Sequence, residues 1–274
     1  MSRSRDLSNS GHSIGTTSNR PSSPFIGMEY YDTTLGQMLN YTINNTWVAV
    51  GTASTLSPYL SNLALYVDAG NSSSYSGSGT TITDLSGNGN TGTFTSSSIT
   101  YSSSNGGYLN FPGSQWISFG NPSSLNISSQ ITIMVAFQPS NFASNWSTLV
   151  GKGDSSWRFQ GNQNSTNLDF GTSGLTNTDT GSATALTNGT WYIAHAIYNG
   201  SSKQIYINNS LDASQSNSGT ISTNGYNVYI GENSQATGRT FQGKIGAVLI
   251  YNTGLNSTQV TQNYNYFKSR YGLS

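Results

Sequence analysis

Phe241-Gln-Gly-Lys-Ile-Gly-Ala-Val-Leu-Ile-Tyr251 is the stretch whose reading decides the fold. From Ile245 to Tyr251 it is an almost unbroken run of apolar and β-favouring residues. Such a run suits a strand covered on both faces. Asn252-Thr-Gly254 ends it with turn chemistry. Asn256-Ser-Thr-Gln259 then has the form of a capping box, and Val260, Tyr264 and Phe267 recur at helical spacing. With Gly272 placed as a C-terminal cap, the pattern predicts a helix over about 257–270, packed on a sheet.

Upstream lie many short β segments: Leu63–Asp68, Tyr108–Phe111, Trp116–Phe119, Ile131–Gln138, Ser147–Lys152 and Trp157–Gln160. Leu168–Gly171, Trp191–Tyr198, Lys203–Ile207 and Val228–Gly231 continue the series. Most alternate, which predicts one wet face each around a buried last strand. Close spacing, Gly/Asn-rich turns and scarcely any helix argue for an all-β, antiparallel sandwich over residues 63–274.

Composition narrows the function. Ten Lys and Arg balance ten Asp and Glu, so no net charge favours nucleic acid or an anionic membrane as partner. Charged residues are 7% of the chain, against roughly 25% in an ordinary soluble domain, so solubility rests on Ser, Thr, Asn and Gly. There is no cysteine, which excludes disulfides and thiolate metal sites. The opening residues carry positive charge without an apolar run, so no secretory signal is read there, and no window reaches the roughly 18 apolar residues of a membrane span.

Residues 1–20 read as a polar, extended arm with Arg3, Arg5 and Arg20 against Asp6, able to reach about 65 Å at roughly 3.3 Å per residue. Residues 21–51 read as a meander with strands Gly27–Tyr31, Gln37–Tyr41 and Thr46–Val50. So small a sheet needs partners to be stable. Residues 52–62 form a small-residue linker. Arg20-Pro21, Pro24, Gly27-Met28, Tyr31-Asp32-Thr33, Gly36 and Trp47-Val48 follow one another here. This series resembles a module recurrent in the fibre and structural proteins of tailed bacteriophages. That resemblance implies anchoring to other virion proteins, association of copies as trimers, and Arg3, Arg5, Arg20, Tyr31 and Trp47 as anchoring residues. Made in the host cytoplasm and carried on the virion surface, such a protein needs no export signal.

The larger part carries a second resemblance. Leu65-Tyr-Val-Asp-Ala69, Asp84-Leu-Ser-Gly-Asn-Gly-Asn90, Ile131–Phe137, Gly189-Thr-Trp-Tyr192, Ile205-Tyr-Ile-Asn-Asn209 and the closing strand and helix are its segments. Their order resembles the concanavalin-like, laminin-G-type lectin/glucanase jelly roll. The resemblance implies either glycan adhesion or polysaccharide cleavage. Cleavage needs two carboxylates in one cleft, about 5–5.5 Å apart for retention. The bacterial glucanases of this fold carry theirs as Glu-x-Asp-x-x-Glu on one strand. This chain has two glutamates, Glu29 and Glu232, and Asp68, Asp84, Asp154, Asp169, Asp179 and Asp212 each stand alone in the sequence. A non-catalytic protein is therefore expected. His195 alternates with Ile193 and Ile197, as a sheet residue of the core would.

Glycan contact calls for aromatic platforms beside Asn, Asp or backbone amides. The candidates are Trp146, Trp157 beside Asp154, Tyr226, Asn233 and Arg239, with ordinary core or surface packing as the alternative for each aromatic. Asp84, Ser86, Asn88 and Asn90 place oxygens at alternate positions with Gly89 sixth, as a Ca²⁺ loop begins. Thr95 stands where the bidentate Glu belongs, so a simple turn is the competing reading and no cofactor is required. The expectation is a non-catalytic virion protein, a fibre or capsid decoration, displaying a lectin-like domain to host-surface glycan. A free-standing carbohydrate-binding module and a polysaccharide-degrading enzyme are the alternatives.

Overall fold

The computed structural model describes residues 13–26, 28–35, 37–41, 45–49, 57–142 and 146–274. The chain divides into two compact units, 1–57 and 58–274.

The first unit is a four-stranded sheet of β1 (Ser13–Gly15), β2 (Glu29–Asp32), β3 (Gln37–Tyr41) and β4 (Trp47–Ala49). β2, β3 and β4 form the expected antiparallel meander, β3 at the bounds read and β2 and β4 with ends shifted by one or two residues. β1 pairs parallel with β2, so the end of the supposed arm belongs to this sheet. The reason is Asp32. Its buried carboxylate accepts from Thr17 Oγ1, from Arg20 Nε at 2.8 Å and from the amides of Thr34 and Leu35. Burial would raise the Asp32 carboxyl, but the Arg20, Leu35, Thr17 and Thr34 hydrogen bonds together hold it below the usual carboxylate range. Arg20, expected to grip a partner, is therefore bound within its own unit. Trp47 packs its ring on Tyr30 and Tyr41, at 5.8 and 5.3 Å between centroids. Tyr31 is half-buried, and Arg3 and Arg5 lie outside the described residues.

The second unit begins with β5 (Leu63–Asp68), β6 (Thr81–Ile82), β7 (Gly92–Phe94), β8 (Thr100–Ser102), β9 (Tyr108–Pro112) and β10 (Ile117–Ser118). Then come β11 (Ile131–Pro139), β12 (Thr148–Gly151), β13 (Trp157–Gly161), β14 (Asn167–Thr172) and β15 (Asp179–Ala185). β16 (Tyr192–Tyr198), β17 (Ser202–Ile207), β18 (Ser210–Ser216), β19 (Tyr229–Ile230), β20 (Gln242–Tyr251) and helix α1 (Ser257–Phe267) complete it. Two sheets face each other. One runs β15-β14-β13-β12-β19-β10-β7-β6, the other β18-β17-β16-β11-β20-β9-β8, with β5 also on β20.

β20 occupies the centre of its sheet, with β11 along one edge and β9 and β5 along the other. Ile245, Val248 and Ile250 face the core between the sheets, whereas Ala247, Leu249 and Tyr251 face the second apolar layer. Gly246 is the extra residue of a bulge opposite Ala136 and Phe137. A Cβ there would fall 2.0 Å from the Tyr271 hydroxyl, so glycine is required by space. The second layer is closed by α1, which buries Val260, Asn263, Tyr264 and Phe267. Its capping box forms as read: Asn256 Oδ1 accepts from the Gln259 amide at 3.0 Å, and Gln259 Oε1 from the Asn256 amide at 2.9 Å. The helix gives way after Phe267 to a 3-10 turn over Lys268–Tyr271, ended by Gly272 at φ +69°. Arg270 of this turn ties to the buried Asp68 of β5 at 2.7 Å.

The expectation of one wet face per strand fails for the middle strands. β12, β13 and β16 are buried throughout, whereas β9 and β17 alternate cleanly. On β16 the reason is α1; on β13 the outward side chains are tied down, Arg158 to Asp154 and Asp179 and Gln160 to Asp169.

A polar surface on the outer face of one sheet

Alternation on β13 sends Trp157 and Phe159 inward and Arg158 and Gln160 outward. Trp157, a candidate platform, is therefore a core residue with no exposed surface. Arg158 lies against two glycines of its neighbouring strands, Gly151 and Gly171. A Cβ on Gly171 would come within 2.4 Å of the guanidinium carbon, so only glycine lets the group lie flat on the sheet. The guanidinium pairs with Asp179 at 2.8 Å and with Asp154 at 3.3 Å.

Asp154 gathers the other candidates. Its Oδ1 accepts from Arg239 Nη1 and from Asn233 Nδ2, both at 2.9 Å. Arg239 stands over the Trp146 ring, 5.8 Å from its centroid. Four candidates, Trp146, Asp154, Asn233 and Arg239, thus form one connected group. Tyr226 sits at its rim: its carbonyl accepts from Lys152 Nζ, and Asn224 links that loop to Ser155. Burial lowers the Lys152 ammonium to about 8.

Two features were not read from the sequence. Glu232 is buried, and its carboxylate accepts from the amides of Asn233, Gly238 and Arg239 at 2.7–3.0 Å. It fixes the loop that presents Asn233 and Arg239, as a carboxylate does when it closes several backbone donors. The second is the backbone of Trp146 and Gln163, both left-handed at φ +54° and +52°. The Trp146 amide donates to the Gln163 carbonyl at 3.1 Å. A bulky aromatic in this region is strained, and strain of this kind collects at functional sites. Beside it is a shallow depression lined by Asn162, Gln163, Asn164 and Ser165. An aromatic ring, a ring of amides and a stacked arginine supply both the apolar face and the directed hydrogen bonds that sugars use.

Asp169 also lies on this face, across from Gln160, whose Nε2 donates to it at 3.2 Å. Burial, helped by the nearby Asp179 charge, raises the Asp169 carboxyl to about 7. Aspartates that stand alone in the sequence are thus brought to one face by the fold.

The side chains of the Asp84 loop bond the protein itself. Asp84 accepts from the amides of Tyr66, Ser86 and Asn90 and from Ser86 Oγ, at 2.7–3.1 Å. Asn88 and Asn90 both donate to the Ala64 carbonyl, and Asn90 also bonds Ser124. These side chains are directed at the protein's own backbone and clamp the loop to β5. No cluster of three His, Cys, Asp or Glu occurs among the described residues.

The profile of the concanavalin A-like lectin/glucanases superfamily matches residues 111–261, more than half of the chain. No curated protein sequence matches it significantly. Among solved structures, domain 4 of a GH43 extracellular arabinanase from Geobacillus stearothermophilus, in complex with arabinotriose, superimposes with a TM-score of 0.57 at 20% identity. That match covers 74% of this chain and 98% of the other. The binding domain of Paraclostridial Mosquitocidal Protein 1 gives 0.61 at 16% identity, covering 78% and 56%. Trypanosoma rangeli sialidase in complex with sialic acid gives 0.55 at 13%, covering 82% and 35%. This chain thus spans about half of the toxin binding domain and a third of the sialidase. At these identities the likeness is one of fold. With its two facing antiparallel sheets, central closing strand and C-terminal helix, the chain belongs to the concanavalin A-like lectin/glucanase superfamily.

Proposed function

We propose that this protein is a non-catalytic, glycan-binding surface protein of a tailed-bacteriophage virion, a fibre or capsid decoration held by its first unit. The observation that carries the binding part is the Trp146 ring, held in a strained left-handed backbone beside the amide-lined depression Asn162–Ser165. Structural similarity to a domain solved with arabinotriose supports the same reading. The expected result on a glycan array is binding by the full chain that falls about tenfold or more in Trp146→Ala, with an unchanged melting temperature. Equal binding by the variant would sink this site.

The anchoring part rests on the resemblance of residues 20–48 and on the surface of the first unit. Ile14, Phe25, Ile26 and Leu35 are exposed there, whereas Tyr30, Leu39 and Asp32 are the buried side chains among its described residues. So much apolar surface on so small a core calls for covering by another molecule. Copies of the chain, as trimers, and neighbouring virion proteins are the proposed partners. The second reading, a free-standing carbohydrate-binding module, is favoured by the separate compactness of residues 58–274. Removing residues 1–57 decides between them: the shortened chain should stay soluble and bind glycan but drop out of assembled particles. Incorporation of the shortened chain at the level of the full chain would remove the anchor, and a full chain that never enters particles would leave the module reading standing.

A further inference from the structure

We propose that the Trp146 surface selects neutral glycans and discriminates against acidic ones such as sialylated or uronate-capped chains. The inference rests on the binding reading above and concerns the class of sugar. Both guanidiniums of the surface are already paired, Arg158 with Asp154 and Asp179, Arg239 with Asp154. The carboxylates are the more accessible members: Asp154 and Asp179 expose 36% and 47% of their side chains, Arg158 and Arg239 only 8% and 22%. Lys152 points elsewhere, to Asn121 and the Tyr226 carbonyl. Glu232 is closed by three backbone amides.

A sugar carboxylate arriving here meets, among the described residues, no solvent-exposed cation free of a carboxylate and must approach two solvent-facing aspartates; Lys203, near Asp179, is buried and donates to the Thr178 carbonyl. Displacing Asp154 from two arginines would leave a carboxylate without partners, the costly way to break an ion pair. A neutral hydroxyl meets no such penalty. Asn162, Gln163, Asn164 and Ser165 offer donors and acceptors without charge. Like-charge repulsion that rejects one ligand class while leaving the other untouched is an ordinary route to specificity.

The test uses the full chain and matched pairs of hexose oligosaccharides, neutral and capped with sialic acid or uronate, at low salt where charge is least screened. The neutral member of a pair should bind about tenfold more tightly or better, and Asp154→Asn, which releases Arg239, should narrow that ratio about tenfold. Asp179→Asn, whose ion-pair partner is Arg158, narrows it in the same direction and serves if the first variant misfolds. An acidic member that binds as well as its neutral partner, with both lost in Trp146→Ala, overturns the inference and leaves the site intact. Variants that leave the ratio unmoved overturn it too. Absence of binding by either member removes the site and the inference together.

Discussion

His195→Leu makes the second unit more stable at pH 4 by roughly 3 kcal/mol, and changes it by about 1 kcal/mol or less at pH 7.5. His195 lies on β16 between Met134 and Tyr206 of the adjoining strands, wholly buried in the layer under α1. Neither ring nitrogen has a hydrogen-bond partner among the described residues. Burial lowers its imidazole from 6.5 to about 3. The sign follows from which state takes the proton. Below pH 6.5 the unfolded chain protonates His195 and the folded one does not, so folding loses about 1.4 kcal/mol for each unit of acidification down to about 3. Leucine removes that loss without leaving a polar group unpaired. Urea midpoints at pH 4 and 7.5 measure it, and a variant whose profile runs parallel to the parent's would refute the assignment.

Asp169→Asn has the opposite effect in the same window. Desolvation, and then the charge of Asp179, raises Asp169 from 3.8 to about 7. Between these values the folded state holds a proton that the unfolded chain has released, so this group's penalty grows as the pH rises and is complete above about 7. Asparagine, a neutral stand-in for the protonated acid, should therefore stabilise by roughly 4 kcal/mol at pH 7.5 and by little at pH 4. In the parent chain the two slopes oppose each other from about pH 4 to 6.5, and its stability should be nearly level there. Each single variant should tilt: His195→Leu gains stability on acidification and Asp169→Asn loses it. Two flat profiles would show that neither group titrates as its burial implies.

The parts of the fold legible in sequence are those where one residue type serves one neighbour. Ile245–Tyr251 is apolar because both faces are covered, and Asn256 with Gln259 caps α1 by contacts three residues apart. β15 and β18 escaped because Asp-Thr-Gly-Ser-Ala-Thr-Ala and Ser-Leu-Asp-Ala-Ser-Gln-Ser carry no apolar alternation. They are edge strands held by backbone pairing on one side. In the candidate site, alternation with Phe159 could have placed Trp157 inside, since both residues share one face of β13. Nothing local marks Glu232, whose three partners include amides six and seven residues away. The oxygen spacing of Asp84–Asn90 suits a cation or a clamp equally, and the hydrogen bonds that make the clamp reach amides the spacing does not reveal.

β15 and β18 stand at the same flank of the two sheets, and side chains sew them together. Asp212 of β18 accepts from the amides of Ala183 and Thr184 and from the Thr184 hydroxyl, and Thr180 Oγ1 bonds Gln215. Two main-chain donors that a stranger's strand would otherwise capture are thereby occupied. The seam acts as a selvedge, a finished border that resists both fraying and grafting. At this flank, copies of the second unit can meet side by side without their sheets merging into a continuous ribbon.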